Sequence, residues 1–317
     1  MNKNELLRLF KIGDDFKSET SRYKIIDILG SGGNGIAFLV ICIDGFNKGC
    51  IFVLKMLYQI SSSERTHRFL DEIKFLKNNV HSSIICHYDD GTHKIREEEY
   101  PFIVTNYMRT TLEDEIRRGM PIHKALIFVP QLLASLKCLH DQNAVHRDIK
   151  PANIFINGFH AALGDFGLIK ILKDNPEQPD KDDENKVKET IYSYYSNGDA
   201  MAINFRTPQL IRYARGEQQL NFKSDIFQLG LVFCYMFTGS VPVDRCSDFL
   251  EDIKIKNIGH IKSKKYGGRI NGLLQKMISM DESQIPDIQT LQSSWTSILV
   301  DYVKDHKQLC DDFLTFC

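Results

Sequence analysis

Strand-like apolar runs occupy residues 23–29, 36–43 and 50–57, and glycine-rich turns separate them. They are expected to form an antiparallel meander. Two further strand-like runs, 84–88 and 102–107, flank a charged segment, 93–99, that reads as an exposed hairpin. Between the third and fourth runs, Ser61-x-x-Glu64 has the form of a capping box and opens a helix through about Lys77. Five strands and one helix thus make a small first part. From about residue 109 the pattern turns mainly helical. Residues 122–142 repeat Leu, Ile, Val and Phe, 225–238 are almost wholly apolar and so form a buried helix, and 270–280 and 288–303 are further helices. Ahead of the strands, Leu6, Leu7, Leu9, Phe10 and Ile12 suggest a short amphipathic helix packed on the surface of an N-terminal extension, 1–22; residues 304–317 read as a tail.

The chain of 317 residues can bury a large core, and 43% hydrophobic with 26% charged residues is ordinary for a globular protein. A net charge of −1 gives no global attraction to nucleic acid or to an anionic membrane, so neither is expected as a partner. The eight cysteines are scattered without a Cys-x-x-Cys pair, which favours reduced, buried thiols and a cytoplasmic location. The N-terminus lacks a signal-peptide core, and no run of about 18 apolar residues suggests a membrane span. Residues 173–189 differ from their surroundings. They are dense in both charges, hold two prolines and no aromatic residue, and have Val187 as their only aliphatic side chain, so they are expected to be disordered.

Residues 146–153 read His-Arg-Asp-Ile-Lys-Pro-Ala-Asn, and Asp165-Phe166-Gly167 follows. The spacing gathers a proton acceptor (Asp148), a cation that can neutralise a transferring phosphate (Lys150) and two hard oxygen ligands suited to Mg²⁺ (Asn153 and Asp165). HRD-x-K-x-x-N followed by DFG resembles the catalytic core of the eukaryotic-type serine/threonine protein kinases. The resemblance covers about residues 23–303. It implies an α+β, two-lobed protein kinase fold, with a small antiparallel five-stranded N-lobe carrying one helix, about 23–107, and a larger, mainly helical C-lobe, about 109–303. It also implies ATP and Mg²⁺ as cofactors and proteins as substrates. Dimerisation has no signature in the pattern.

The resemblance extends residue by residue into a nucleotide site. Gly30-Ser31-Gly32-Gly33-Asn34-Gly35 is a G-x-G-x-x-G run followed by a strand, as in the kinase phosphate loop and unlike the dinucleotide fingerprint, where a helix follows. Gly30, Gly32 and Gly35 are its family glycines. Lys55 would contact the α- and β-phosphates, held by Glu72, with Asp71 as the competing partner. Ala37 and Val53 reverse the family's usual Val and Ala on the adenine roof, a volume-conserving exchange. Leu29 would lie above adenine and Phe155 below. Residues 102–108 resemble the hinge, where the Asn106 carbonyl and Met108 N–H would meet adenine, with Thr105 as gatekeeper.

In the family pattern Asp148 orients the substrate hydroxyl and accepts its proton, and Asp165 and Asn153 hold Mg²⁺. Lys150 is the serine/threonine mark. Arg147 would pair with a phosphorylated residue of the activation segment, and Thr190, Tyr192, Ser193, Tyr194, Tyr195 and Ser196 are the candidates; autophosphorylation there would order the loop. The alternative is a polar loop with a structural arginine. Asp225 resembles the aspartate that receives backbone N–H groups of the HRD turn. The chain also departs from the pattern. Thr207-Pro208-Gln209 stands for Ala-Pro-Glu, and Ile285 sits where the partner arginine belongs, so both halves of a buried ion pair are neutral. Ala202 stands near a usual threonine, and Ala152 replaces an acidic residue that favours basic substrates.

The leading expectation is an ATP- and Mg²⁺-dependent serine/threonine protein kinase. The alternatives are a dual-specificity kinase, a non-catalytic kinase-like scaffold and a small-molecule phosphotransferase. The long segment 168–207 speaks against the last, and intact Lys55, Asp148, Asn153 and Asp165 speak against a scaffold.

Overall fold

The computed structural model describes residues 3–31, 35–172, 180–244 and 248–306. The chain divides into two compact units, one of Met1–Arg109 with Gly164–Ile169 and the other of Thr110–Leu163 with Lys170–Cys317.

The described residues of the first unit form one antiparallel sheet of β1 (Asp15–Lys17), β2 (Arg22–Ser31), β3 (Ile36–Asp44), β4 (Ile51–Met56), β5 (His87–Ile95) and β6 (Glu98–Asn106). The strand order is β1-β2-β3-β4-β6-β5. The five expected strands are present, and the short β1 adds a sixth at the edge. Register places Leu54 opposite both Phe38 and Val104, and all three side chains are fully buried on one face. The N-terminal extension covers that face. Helix α1 (Lys3–Leu7) brings in Leu6, and the Phe16 ring lies 5.3 Å from Phe38 and 5.5 Å from Phe102, with Phe10 5.0 Å from Phe38. The expected short helix is therefore present, but Leu6 and the following Phe10 enter the core instead of packing on the surface. An amphipathic run of this length carries no mark of its partner, and here an aromatic sheet face supplies one.

The expected strand 84–88 is displaced to His87–Ile95, and the charged segment 93–99 is the exposed hairpin expected of it, with Ile95 paired to Glu98 and the turn at Arg96 (φ 57°). Because β5 is an edge strand, its charged side chains can face solvent while its backbone pairs. Helix α2 (Ser63–Asn78) starts one residue later than expected. Ser62, not Ser61, is its cap, and the Ser62 hydroxyl accepts the Arg65 N–H. Phe69, Ile73 and Leu76 form its buried side.

The second unit is mainly helical. It begins with β7 (Thr110–Thr111), α3 (Leu112–Arg117) and α4 (Ile122–His140). After β8 (Ala144–Val145) and a 3₁₀ turn, Pro151–Asn153, come β9 (Ile154–Asn157), β10 (His160–Leu163) and β11 (Lys170–Ile171). Helices α5 (Lys181–Ser196), α6 (Ala200–Asn204), α7 (Pro208–Ala214), α8 (Lys223–Thr238), α9 (Gly267–Met277) and α10 (Ile288–Asp305) complete it. Among the described residues α4 alone is long and apolar enough to cross a membrane by length and composition. It packs against α8, α10 and β10 as a core helix. Helix α8 is buried along almost its whole length, as its sequence requires.

Helix α5 overturns the expectation of disorder for its part of residues 173–189; residues 173–179 lie outside the described residues. Asp180 caps it by accepting the Asp183 N–H, and Asp182, Asp183 and Glu184 load the first turn with the charge a helix N-terminus favours. Val187 and Ile191, four residues apart, bury themselves against Val145, Leu210, Tyr213 and Leu220. Composition averaged over the stretch hides a stripe this narrow. Of the cysteines, Cys42 and Cys234 are free and buried, Cys86 and Cys138 are free and partly buried, and Cys50 is free and exposed; Cys246, Cys310 and Cys317 lie outside the described residues.

Candidate active site

In the first unit the sheet face opposite the aromatic core carries the nucleotide candidates. Ala37 pairs with Lys55 and Val53 with Thr105, and side chains two apart on a strand share a face, so these four residues line one surface. The phosphate-loop candidate joins β2 to β3. Gly30 has φ +147°, and a Cβ on Gly35 would stand 2.8 Å from the Met56 carbonyl, so both positions demand glycine. Gly32 lies outside the described residues. Leu29 is exposed at the end of β2. Asn106 closes β6. Its amide oxygen accepts the Cys86 N–H at 2.8 Å, which fixes the strand end that leads to the buried Met108.

Lys55 Nζ donates to both oxygens of Glu72, at 3.1 and 3.0 Å, and to Asp165 Oδ1 at 3.2 Å. Glu72 is buried beside Ile73 and Leu76, whereas Asp71 is exposed, so helical register selects between the two acids. Burial would lower the Lys55 pKa, but the charges of Asp165 and Glu72 outweigh it and hold the ammonium protonated. Burial, joined by the Asp165 charge, raises that of Glu72 against the pull of Lys55. Asp165 sits at φ 59°, a conformation that a non-glycine residue holds only when its surroundings over-determine it. Phe166 supplies part of that constraint, fully buried with its ring 5.0 Å from Phe75 of α2.

In the second unit a buried polar frame shapes the loop after β8. Asp225 of α8, fully buried, accepts the His146 N–H at 2.8 Å and the Arg147 N–H at 3.0 Å. Burial would raise its pKa, but hydrogen bonds and charge from His140, His146 and the Arg147 amide keep it lowered, so it stays an acceptor. Arg147 holds φ 71°, again left-handed. Gln228, one helical turn after Asp225, accepts the Ile149 N–H at 3.0 Å and donates to the Arg147 and Phe205 carbonyls at 3.1 Å each. The sequence reading missed Gln228. The available signal was an amide inside an otherwise apolar helix, on the same face as Asp225, since a buried polar group needs partners.

This frame brings Asp148, Lys150 and Asn153 together. Lys150 Nζ lies 3.0 Å from Asp148 Oδ2, and Asn153 Nδ2 donates to the Asp148 carbonyl and carboxylate at 2.9 Å each. With its nitrogen so used, Asn153 turns its amide oxygen the other way. In the first unit Asp165 shares the Lys55 ammonium with Glu72. The Asn153 amide and the Asp165 carboxylate each carry a hard oxygen donor of the kind Mg²⁺ takes. Among the described residues no group of three or more His, Cys, Asp or Glu side chains could hold a metal. Phe155 lies on β9, partly buried.

Of the regulatory candidates, Thr190, Tyr192, Ser193, Tyr194, Tyr195 and Ser196 all lie on α5. The Tyr194 ring lies 4.7 Å from Lys150 Nζ, and the Tyr195 ring 5.9 Å from the Arg206 guanidinium. Tyr192 is exposed and meets Phe249 edge-on. Arg147, expected to pair with a phosphorylated residue of this run, meets a carboxylate in the structure. Its Nη1 lies 2.7 Å from Asp183 Oδ2. Thr207 caps α7 and shares a hydrogen bond with Ser224 at 2.9 Å, both fully buried. Gln209 and Ile285 are both buried, and the Gln209 amide oxygen has no hydrogen-bond partner among the described residues. The neutral exchange removes the charge and leaves one polar atom unsatisfied.

The protein kinase domain family model matches residues 23–296. The chain is 22% identical to mitogen-activated protein kinase spm1 of Schizosaccharomyces pombe over 97% of its own length and 72% of that protein's. It is 28% identical to serine/threonine-protein kinase PrkC of Bacillus subtilis, over 72% of this chain and 32% of PrkC. It is also 28% identical to serine/threonine-protein kinase cds1 of S. pombe, over 88% of this chain and 59% of cds1. PrkC and cds1 are thus much longer than the part this chain spans. With a family match over most of its length, and with Lys55 on Glu72 and Asp148 bonded to Lys150 and Asn153, the chain belongs to the protein kinase domain family.

Proposed function

We propose that the protein is an ATP-dependent serine/threonine protein kinase that transfers the γ-phosphoryl group of ATP to hydroxyls of proteins. The Asp148–Lys150–Asn153 constellation carries this reading, because it places a proton acceptor and a phosphate-neutralising cation at one point. The substrate oxygen attacks the γ-phosphorus, the bond to the β–γ bridging oxygen breaks, ADP leaves, and the hydroxyl proton passes to Asp148. Lys55, oriented by Glu72, binds the α- and β-phosphates. Lys150 offsets the charge of the group in transfer. When bound, Mg²⁺ would neutralise phosphate charge, with Asp165 and Asn153 as the protein ligands by their match to the family motif. Positioning and charge neutralisation supply most of the acceleration.

Autophosphorylation within residues 190–196 belongs to the same proposal. A dual-specificity reading stands second, and the Tyr194 ring over Lys150 favours it. The test is incubation with labelled ATP and Mg²⁺ beside Asp148→Asn, Asp165→Ala and a chelator control, with phosphosites mapped by mass spectrometry. Serine or threonine label in the wild type alone is the expected result. Label on Tyr194 would establish the second reading, and equal label in all samples would overturn both.

A further inference from the structure

Three groups converge on one carboxylate at the foot of α5. Asp183 Oδ2 receives Arg147 Nη1 at 2.7 Å and the Tyr213 hydroxyl at 2.6 Å, and Lys170 Nζ stands 3.3 Å away. Asp180, the cap of α5, shares the same lysine and accepts the Asp183 N–H at 3.2 Å. The Arg147 and Asp183 side chains are 8% and 11% exposed, so the pair is dry and charge-assisted. Arg147 is also the residue whose backbone N–H and C=O are held by Asp225 and Gln228, immediately before Asp148. Whatever fixes its guanidinium therefore braces the catalytic loop.

The hydroxyls of α5 are poorly placed to take over this role. Thr190 is seven residues beyond Asp183, which at the helical rise puts it roughly 10 Å further along the axis. The Thr190, Ser193 and Ser196 hydroxyls donate to carbonyls of their own helix, of Lys186, Thr190 and Ser193. A phosphate on any of them could reach Arg147 only if α5 unwound and Asp183 left.

We propose that Asp183 is a built-in anchor for the activation segment, a positioning residue whose carboxylate occupies the Arg147–Lys170–Tyr213 pocket permanently, so that the catalytic loop is braced without phosphorylation. The proposal rests on the kinase reading above. It makes modification of Thr190, Ser193 and Ser196 a product of the activity and not its condition.

The test starts from phosphatase-treated protein shown to be phosphate-free by intact mass, assayed for label transfer to itself and to casein. The expected wild-type time course has no lag, and Thr190→Ala with Ser193→Ala and Ser196→Ala leaves its initial rate unchanged. Asp183→Asn is expected to lower kcat about 10- to 100-fold while the KM for ATP stays within about twofold, and Asp183→Glu to recover most of the loss; the range follows from losing one charge-assisted pair. A lag abolished by prior incubation with ATP would overturn the anchor, as would full activity in Asp183→Asn. If wild-type protein transfers nothing either before or after that incubation, the proposed function fails, and hydrogen exchange judges the anchor by itself. Asp183→Asn must then open residues 181–196 while leaving 63–78 protected, and unchanged protection of 181–196 would overturn it.

Discussion

At the scale of single residues, the candidate site depends on a few buried polar groups whose partners are backbone atoms. Asp225 and Gln228 lie one turn apart on α8 and between them hold the amides of residues 146, 147 and 149. A motif scan finds Asp225, because acid at that position belongs to the family pattern. It passes over Gln228, whose meaning appears only when the loop folds back onto α8. Gln228→Met keeps the volume and strands the Ile149 N–H and the Phe205 carbonyl in a dry interior. Each stranded group costs about 1–3 kcal/mol, so stability is expected to fall by at least about 2 kcal/mol in urea denaturation. The kcat should fall with it, because the loop before Asp148 loses its brace. A wild-type midpoint and kcat would show the amide to be dispensable.

Secondary elements in this chain take their order from partners distant in sequence. Helix α5 has few apolar residues, and it buries Asp183 along with Val187 and Ile191. Burial would raise the Asp183 pKa, but the Arg147 charge, the Tyr213 and Arg147 hydrogen bonds and the Lys170 charge outweigh it. The folded value therefore lies below the ordinary 3.8. A carboxylate lowered on folding stabilises the fold at pH above its unfolded pKa, and that stability is lost as pH falls through the folded value. Protection of residues 181–196 should accordingly hold down to about pH 4 and decline below it, in excess of any decline in Asp183→Asn. That comparison removes the contribution of Asp180, whose hydrogen bond to Lys170 lowers it too. A wild-type profile parallel to the variant's between pH 5 and about 2.5 would contradict the assignment. The N-terminal extension makes the same point through packing. Phe16 is fully buried among Phe10, Phe38 and Phe102, so Phe16→Ala should cost about 3–5 kcal/mol in equilibrium unfolding, where a surface-packed extension would cost under about 0.5.

For the molecule as a whole, the sequence by itself determined the family, the β-rich first part and helical second part, and the identity of the chemistry-bearing residues. These rest on local facts: fixed spacings in HRD-x-K-x-x-N and DFG, glycines that no side chain can replace, and apolar periods that match strand or helix. The α8 helix and the Lys55–Glu72 pair were legible for that reason, since an unbroken apolar run and helical register leave little choice. Tertiary structure alone decided what covers the aromatic face of the sheet, why a nearly all-polar segment is helical, and which acid fills the pocket of Arg147. In each case the deciding energy comes from a partner many residues away. Leu6, Phe10 and Phe16 become core because the sheet presents an aromatic face, and Asp183 becomes an anchor because Arg147, Lys170 and Tyr213 meet it in a dry pocket. Composition and periodicity describe what a segment could bury, and only the folded chain supplies the surface against which it does so.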